Sequence, residues 1–385
     1  MADGGTTVAL RREVAVRPAV ASAPVAASRP LVHRHVDGWL LGGLGIVAWA
    51  GVRWGPAWLV PSVVVGALTT ATATHFGASY HLAYGDGVAS VRRRPFFLGV
   101  LPLALLAACL AVPVVHGAGA DGAAEGLLRV LLITVFTLTG WHYVKQAFGV
   151  GILVGRGAGM RPSAIEAKVL RFGLYPVWLF DVLEIYGRGR PATFGAYDVS
   201  VGIVPAAWTP WGRAIAIASL LVTFATMARV AMRDRARVPM GLWGAYLTAG
   251  LWFIWPPNAV AASVVLAGLH SIQYLACVHR AELDLAIERG ERHLVHRWAC
   301  VMGGAAAGGL LLTRYLTSVG DARVVVAGLP GLAGALLFAY FNLHHYAVDA
   351  AIWRSGGDHV RRISRGPSVA DEAAVAAPVP ALVPA

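Results

Sequence analysis

Six histidines lie in or at the end of long apolar stretches, where a charged or polar ring is costly. His75 and His81 belong to Thr-His-Phe-Gly-Ala-Ser-Tyr-His, and His142 to Trp-His-Tyr-Val-Lys-Gln. His270 opens His-Ser-Ile-Gln-Tyr, and His344 and His345 sit in Asn-Leu-His-His-Tyr-Ala-Val-Asp. Ionisable side chains inside membrane-like segments usually serve function. Neutral imidazole is the commonest protein ligand for iron, copper and zinc, so the chemistry these six suggest is metal binding.

A ligating imidazole also needs a partner for its other nitrogen. The same stretches supply such partners at helical spacing. His345 and Asp349 are four apart and share a helix face. Gln273 follows His270 by three residues, and Gln146 follows His142 by four. Tyr80, Tyr143, Tyr274 and Tyr346 stand beside or near a histidine, and Asp86 closes the first motif. Lys145, Gln146, Gln273, Tyr274 and Asp349 are therefore the candidates for supporting or catalytic roles. Lys145 stands apart, because a cation repels a metal; it either attracts an anionic group or reaches to the membrane interface. Adjacent residues on a helix point about 100° apart, so His344 and His345 either reach different metals or divide into ligand and hydrogen-bond partner. His75 and His81, six apart, need an irregular helix end to converge.

The elements that must position these residues follow from composition. The chain has 385 residues, 57% hydrophobic and 14% charged. Soluble domains run at about 45–50% apolar and about 25% charged, so this chain reads as an integral membrane protein. Its apolar blocks, such as those at 96–115 and 324–341, approach the ~20 residues that cross a bilayer. Spans are expected at 38–54, 57–82, 96–115, 127–150, 166–186, 212–231, 239–256, 258–279, 298–316 and 324–346. The expected fold is all-α, a polytopic bundle of about ten transmembrane helices with a membrane domain at 36–353. Tails at 1–35 and 354–385 are expected outside it, the first disordered and the second disordered from about 366.

Basic residues orient the bundle. With the N-terminus cytoplasmic, 25 of the 32 Lys and Arg fall in cytoplasmic segments, which places both termini inside. The net charge of +12 is spread over these short segments and not clustered, so nucleic-acid binding is not expected. In this topology every even-numbered helix ends at the cytoplasmic face. The second, fourth, eighth and tenth carry the six histidines, which therefore occupy one membrane layer. Asp181 and Glu184 fall near the outer end of the fifth span, where Glu184 can pair with Arg188 four residues on. Cys109, Cys277 and Cys300 fall in apolar blocks at no metal or redox spacing.

Histidine clusters at the cytoplasmic ends of membrane helices resemble those of the integral-membrane di-iron oxygenases, the fatty-acid desaturases and hydroxylases. The arrangement of His75, His81, His142, His270, His344 and His345 is also similar to that of the bacterial Brp/Blh-type β-carotene dioxygenases, which are polytopic and histidine-dependent. The resemblance implies oxidation of a lipid, isoprenoid or carotenoid at non-haem iron, one or two ions. The expectation is a membrane-embedded, metal-dependent oxidoreductase in a bacterial inner membrane. Its partners would be membrane lipids, an apolar small-molecule substrate and a cytoplasmic electron donor. Two alternatives stay open: a haem b electron-transfer protein with axial histidines, and a proton-coupled transporter using the histidines and Lys145 as a relay.

Overall fold

The computed structural model describes residues 30–33, 35–59, 65–186, 193–194, 196–199, 205, 207–257, 259–291, 293–312, 331–354 and 357–365. Of the expected disordered tails, 1–35 and the stretch from about 366, residues 1–29, 34 and 366–385 lie outside the described residues, as do parts of the second, ninth and tenth expected spans and most of the loop at 187–211.

The described chain is helical. A π-helical turn, Trp39–Gly43, leads into α1 (Leu44–Trp54). There follow α2 (Val65–Tyr84), α3 (Val88–Arg93), α4 (Leu101–Gly117, entered through the π-helical turn Phe96–Val100) and α5 (Asp121–Gly157). Next come α6 (Ala164–Phe172), α7 (Tyr175–Tyr186), α8 (Trp208–Asp234) and α9 (Met240–Ile254). The last four are α10 (Ala259–Glu288), α11 (Leu294–Leu310), α12 (Leu332–Ile352) and α13 (Asp358–Arg365). Two short strands, β1 (Thr193–Phe194) and β2 (Tyr197–Asp198), pair antiparallel.

Among the described residues, three helices are long and apolar enough to cross a membrane: Phe96–Gly117, α5 and α8. Their outer faces carry exposed Leu103, Val114, Val130, Ile215 and Leu221, an apolar surface of the kind that faces lipid. At 1.5 Å per residue the 37 residues of α5 run about 55 Å, well beyond the ~30 Å hydrocarbon core. The helix therefore projects past the apolar layer that the fourth expected span, 127–150, marks out.

The fifth expected span, 166–186, is not one helix. It breaks between α6 and α7 at Gly173, whose carbonyl accepts from Ser219 Oγ at 2.9 Å. A side chain at Gly173 would collide with Thr223 Oγ1, so this glycine lets α8 approach closely. Helix α6 opens with a capping box: Ser163 accepts from the Glu166 N–H, and Glu166 Oε2 accepts from the Ser163 N–H at 2.7 Å. Glu166 also binds Arg229 and Arg233 of α8. This charge lies at the first residue of the expected span, on its polar margin and outside the apolar segment. The Ser163 N–H, then Arg233, hold the Glu166 carboxyl at about 2, below its ordinary 4.5. A depressed carboxyl contributes stability above its unfolded value and loses it as pH falls through the folded value. Glu166→Gln should therefore unfold at a temperature that changes less than the parent's between pH 4.5 and 2; equal pH slopes would contradict this role.

Two cores lie on either side of α5. One joins α5 to α7, α8, α9 and α10 around Tyr246, Trp252, Leu242 and Phe180. The other joins α5 to α4, the strand pair and α12 around Leu128, Leu132, Val112 and Ala339. Buried polar ends are tied off, with Trp252 Nε1 donating to Gly45 O at 3.0 Å and Tyr246 OH to Leu170 O at 2.9 Å.

Helix α2 is set against α11 at backbone distance. A Cβ at Gly77 would strike the carbonyl oxygen of Ala305, and one at Gly309 that of Ala73. Ala73 and Gly77 thus face α11, and His75, two residues from each, points about 200° away, toward α10 and α12. Gly77→Ala overpacks this contact, for which about 1–3 kcal/mol is expected. A lowered unfolding temperature in detergent is the expected reading; an unchanged one would mean the helices have room to separate.

Candidate metal centre

Four helices bring one histidine each to a common point: His75 from α2, His142 from α5, His270 from α10 and His345 from α12. Each offers one ring nitrogen, and these nitrogens lie within 4.8 Å of one another. All four residues are at most 5% exposed. Ring centroids lie 4.5 Å apart for His75–His345, 4.6 Å for His142–His270 and 4.9 Å for His75–His270. Among the described residues this is the one group of three or more His, Cys, Asp or Glu with such geometry.

Around this point each of the four rings has a nitrogen without a hydrogen-bond partner. His75 Nε2, His142 Nε2, both nitrogens of His270 and His345 Nδ1 are buried and unsatisfied. An unsatisfied buried polar group costs about 1–3 kcal/mol, so five in one place need a common explanation. Asp349, one turn beyond His345 and 6% exposed, completes the group. Its Oδ2 lies 3.4 Å from His142 Nε2, 3.5 Å from His345 Nε2 and 3.8 Å from His75 Nε2. Ligands held ~2.0–2.2 Å from one ion stand about 3.3–4.2 Å from each other, depending on the angle. The separations match donors around a shared centre better than they match hydrogen bonds.

The surroundings fix how the rings present themselves. Ser271 Oγ donates to Ala267 O at 2.8 Å, which leaves its oxygen to accept from His75 Nδ1 at 3.1 Å. That network assigns the proton of His75 to Nδ1 and leaves the Nε2 lone pair facing the centre. The other oxygen of Asp349, Oδ1, accepts from Tyr274 OH at 3.1 Å. Aromatic rings close the site: Tyr274 stacks on His75 at 4.0 Å, and tilted contacts set Tyr143 against His270 at 4.5 Å, Phe76 against His345 at 4.5 Å and Tyr346 against His142 at 4.8 Å.

The other sequence candidates take different places. His81 is 41% exposed, with Nε2 3.4 Å from Glu282 Oε1, and Glu282 is held in turn by Arg297. Helix α2 stays regular through its end, so six residues turn His81 about 240° away from His75. His344 has both nitrogens occupied, Nδ1 by Tyr80 OH at 3.2 Å and Nε2 by Tyr84 OH at 2.9 Å. Of the two divisions open to the pair, His345 faces the centre and His344 is the hydrogen-bonding member. Gln146 donates to the carbonyl of His270 at 2.8 Å and to Gln273 Oε1 at 3.3 Å. Gln273 donates to Leu41 O at 2.6 Å, so these two amides tie α5 and α10 to the entrance of α1. Lys145 Nζ lies 4.6 Å over the Trp141 ring. Asp86 pairs with Arg93 at the surface. Arg188, expected to pair with Glu184, lies outside the described residues.

Ser271 and Phe76 were not legible as site residues. Each is next to a site histidine in the chain, yet Ser271 serves His75 and Phe76 serves His345, on other helices. The protein thus carries helices of membrane-spanning length and composition and a buried four-histidine cluster. Comparison of the chain with protein-family models, curated proteins and solved structures gives no match.

Proposed function

We propose that this chain is a membrane-embedded, metal-dependent oxidoreductase that oxidises a lipid or isoprenoid substrate. The observation that carries the reading is the convergence of four buried histidines, each with an unpartnered ring nitrogen, beside a buried carboxylate. His75, His142, His270 and His345 would hold the ion, with Asp349 as a further ligand or as the acceptor that orients them. Neutral imidazoles with a single carboxylate suit iron, copper or zinc. Iron is the choice here, because O₂ chemistry on unactivated carbon needs a redox metal. Four nitrogens within 4.8 Å of one another would close on one ion by shifts of about half an ångström. This spacing disfavours haem b, since two of the four rings would stand where the porphyrin plane must lie.

The reading extends to topology. About ten spans with both termini on the cytoplasmic side of a bacterial inner membrane put the site in the cytoplasmic leaflet. An apolar chain reaches that depth from the bilayer. The chain's own residues then exclude water through Tyr143, Tyr274, Tyr346 and Phe76, and Lys145 gives an anionic head group a counter-charge one turn from His142.

The test is oxygen uptake by iron-loaded protein in detergent, with fatty-acyl and isoprenoid lipids supplied together with a reductant. Uptake coupled to a product that has lost two hydrogens or gained oxygen is the expected result. Full iron content without oxygen uptake on any lipid would overturn the oxidoreductase reading and leave a metal-binding protein.

A further inference from the structure

The metal reading raises a question of supply. His75, His142, His270, His345 and Asp349 are sealed from water, so a soluble protein cannot bring its redox group into contact with them. Any electron must cross side chains. Among the described ring contacts, one series leads from the cluster toward a charged face. Tyr274 stacks on His75 at 4.0 Å with planes 24° apart. Trp353 meets Tyr274 edge-on at 5.4 Å, and His359 lies 6.2 Å beyond Trp353. Trp353 caps α12, its N–H bound to Asp349 O at 3.0 Å, and it is half-buried where three apolar clusters meet. The rings on His142 and His270 lead nowhere comparable: Tyr346 and Tyr143 are ringed by the bundle core.

The face at the end of the series is basic. Exposed Arg354 and Arg361 stand one and two residues from Trp353 and His359 in the chain, and exposed Arg289 follows the end of α10. Of the acids on this side, Glu288 is paired with Arg362 at 2.9 Å and Asp86 with Arg93. A positive face beside an aromatic conduit suits a negatively charged partner, which electrostatics steers to it.

We propose that Trp353 and Tyr274 form an electron conduit from this basic face to the metal, and that the face docks a soluble, acidic one-electron carrier. This rests on the metal reading of the four-histidine group. In each transfer the carrier loses one electron and is oxidised by one unit. The ion held by the histidines gains it and is reduced by one unit, and Tyr274 and Trp353 end unchanged. The conduit also chooses between reaction classes. Insertion of both oxygen atoms of O₂ into a substrate needs no outside electron. Hydroxylation or desaturation, which sends oxygen to water, takes two from a donor. A built route for electrons places this chain with the second class.

The experiment uses the full chain, iron-loaded in detergent, with a reduced plant-type [2Fe–2S] ferredoxin as the acidic carrier. Iron content is measured first, then the rate of ferric-to-ferrous reduction by stopped-flow absorbance. In the parent protein the rate should fall as salt is raised. Trp353→Leu should keep its iron and reduce about tenfold more slowly, with Trp353→Phe between the two. Arg354→Glu with Arg361→Glu should lose the salt dependence. Full iron and an unchanged rate in both Trp353 variants would overturn the conduit while leaving the metal site standing. Absence of iron from the parent protein would overturn the metal reading, and the conduit with it.

Discussion

His270→Leu should change stability in opposite directions with and without metal. Both ring nitrogens of His270 are buried and unpartnered, and the residue is 5% exposed. In chelator, leucine removes two unsatisfied groups from an apolar site and fills a similar volume. Each such group costs about 1–3 kcal/mol, so the metal-free variant should unfold at a higher temperature than the metal-free parent. With metal the order reverses. A missing ligand should weaken metal affinity by more than the ~10–100-fold that a lost supporting partner costs. Binding to the folded state alone stabilises by RT ln(1 + [L]/Kd), so the variant forfeits most of that gain. Thermal unfolding of both proteins, each with chelator and with iron, measures the crossover. A variant less stable under both conditions would mean that His270 is an ordinary packing residue.

Asp349→Asn should carry the second largest effect. The amide keeps the shape of the carboxylate and its bond from Tyr274 OH, measured at 3.1 Å to Oδ1. It removes the negative charge that stands 3.4–3.8 Å from three of the imidazoles. As a ligand or as the group that orients ligands, Asp349 should contribute about 10–100-fold in metal affinity. A surface ion pair would contribute under ~1 kcal/mol and leave metal content unchanged. Asp349, at 6% exposure and bonded to Tyr274, is not such a surface group. Metal titration of Asp349→Asn decides the matter, and parent-like affinity would remove Asp349 from the site.

How much of this was legible in the chain depends on the range of each interaction. The pairing of His345 with Asp349 follows from a four-residue spacing and stands at 3.5 Å. Apolar blocks, basic loops and alternating helix direction led to the expectation of one histidine layer; the meeting of His75, His142, His270 and His345 is the part observed. Local spacing misleads where a side chain turns to another helix. Gln146 is one turn from His142 yet serves the carbonyl of His270, 124 positions away. Tyr274 is one turn from His270 yet bonds Asp349 and stacks on His75. His344 is adjacent to His345, and only the placement of Tyr80 and Tyr84 on α2 reveals that both its nitrogens are taken. The break of the fifth segment has a local signal, Gly173 with Pro176 three residues on, set in an otherwise continuous apolar run. Only the close approach of α8, through Ser219 and Thr223, depends on distant residues.

The most direct test of the account is the metal itself. The protein, purified in detergent without added metal or chelator, is analysed for iron, copper and zinc, and its X-ray absorption edge and fine structure are recorded. The account predicts about one ion per chain, bound by imidazole nitrogen at ~2.0–2.2 Å, lost together with His142→Ala, His270→Leu or His345→Ala. It predicts full retention in His81→Ala and His344→Phe, whose rings face Glu282 and the two tyrosines. A chain that holds no ion after exposure to all three metals, or that loses it equally with His81→Ala, would contradict it.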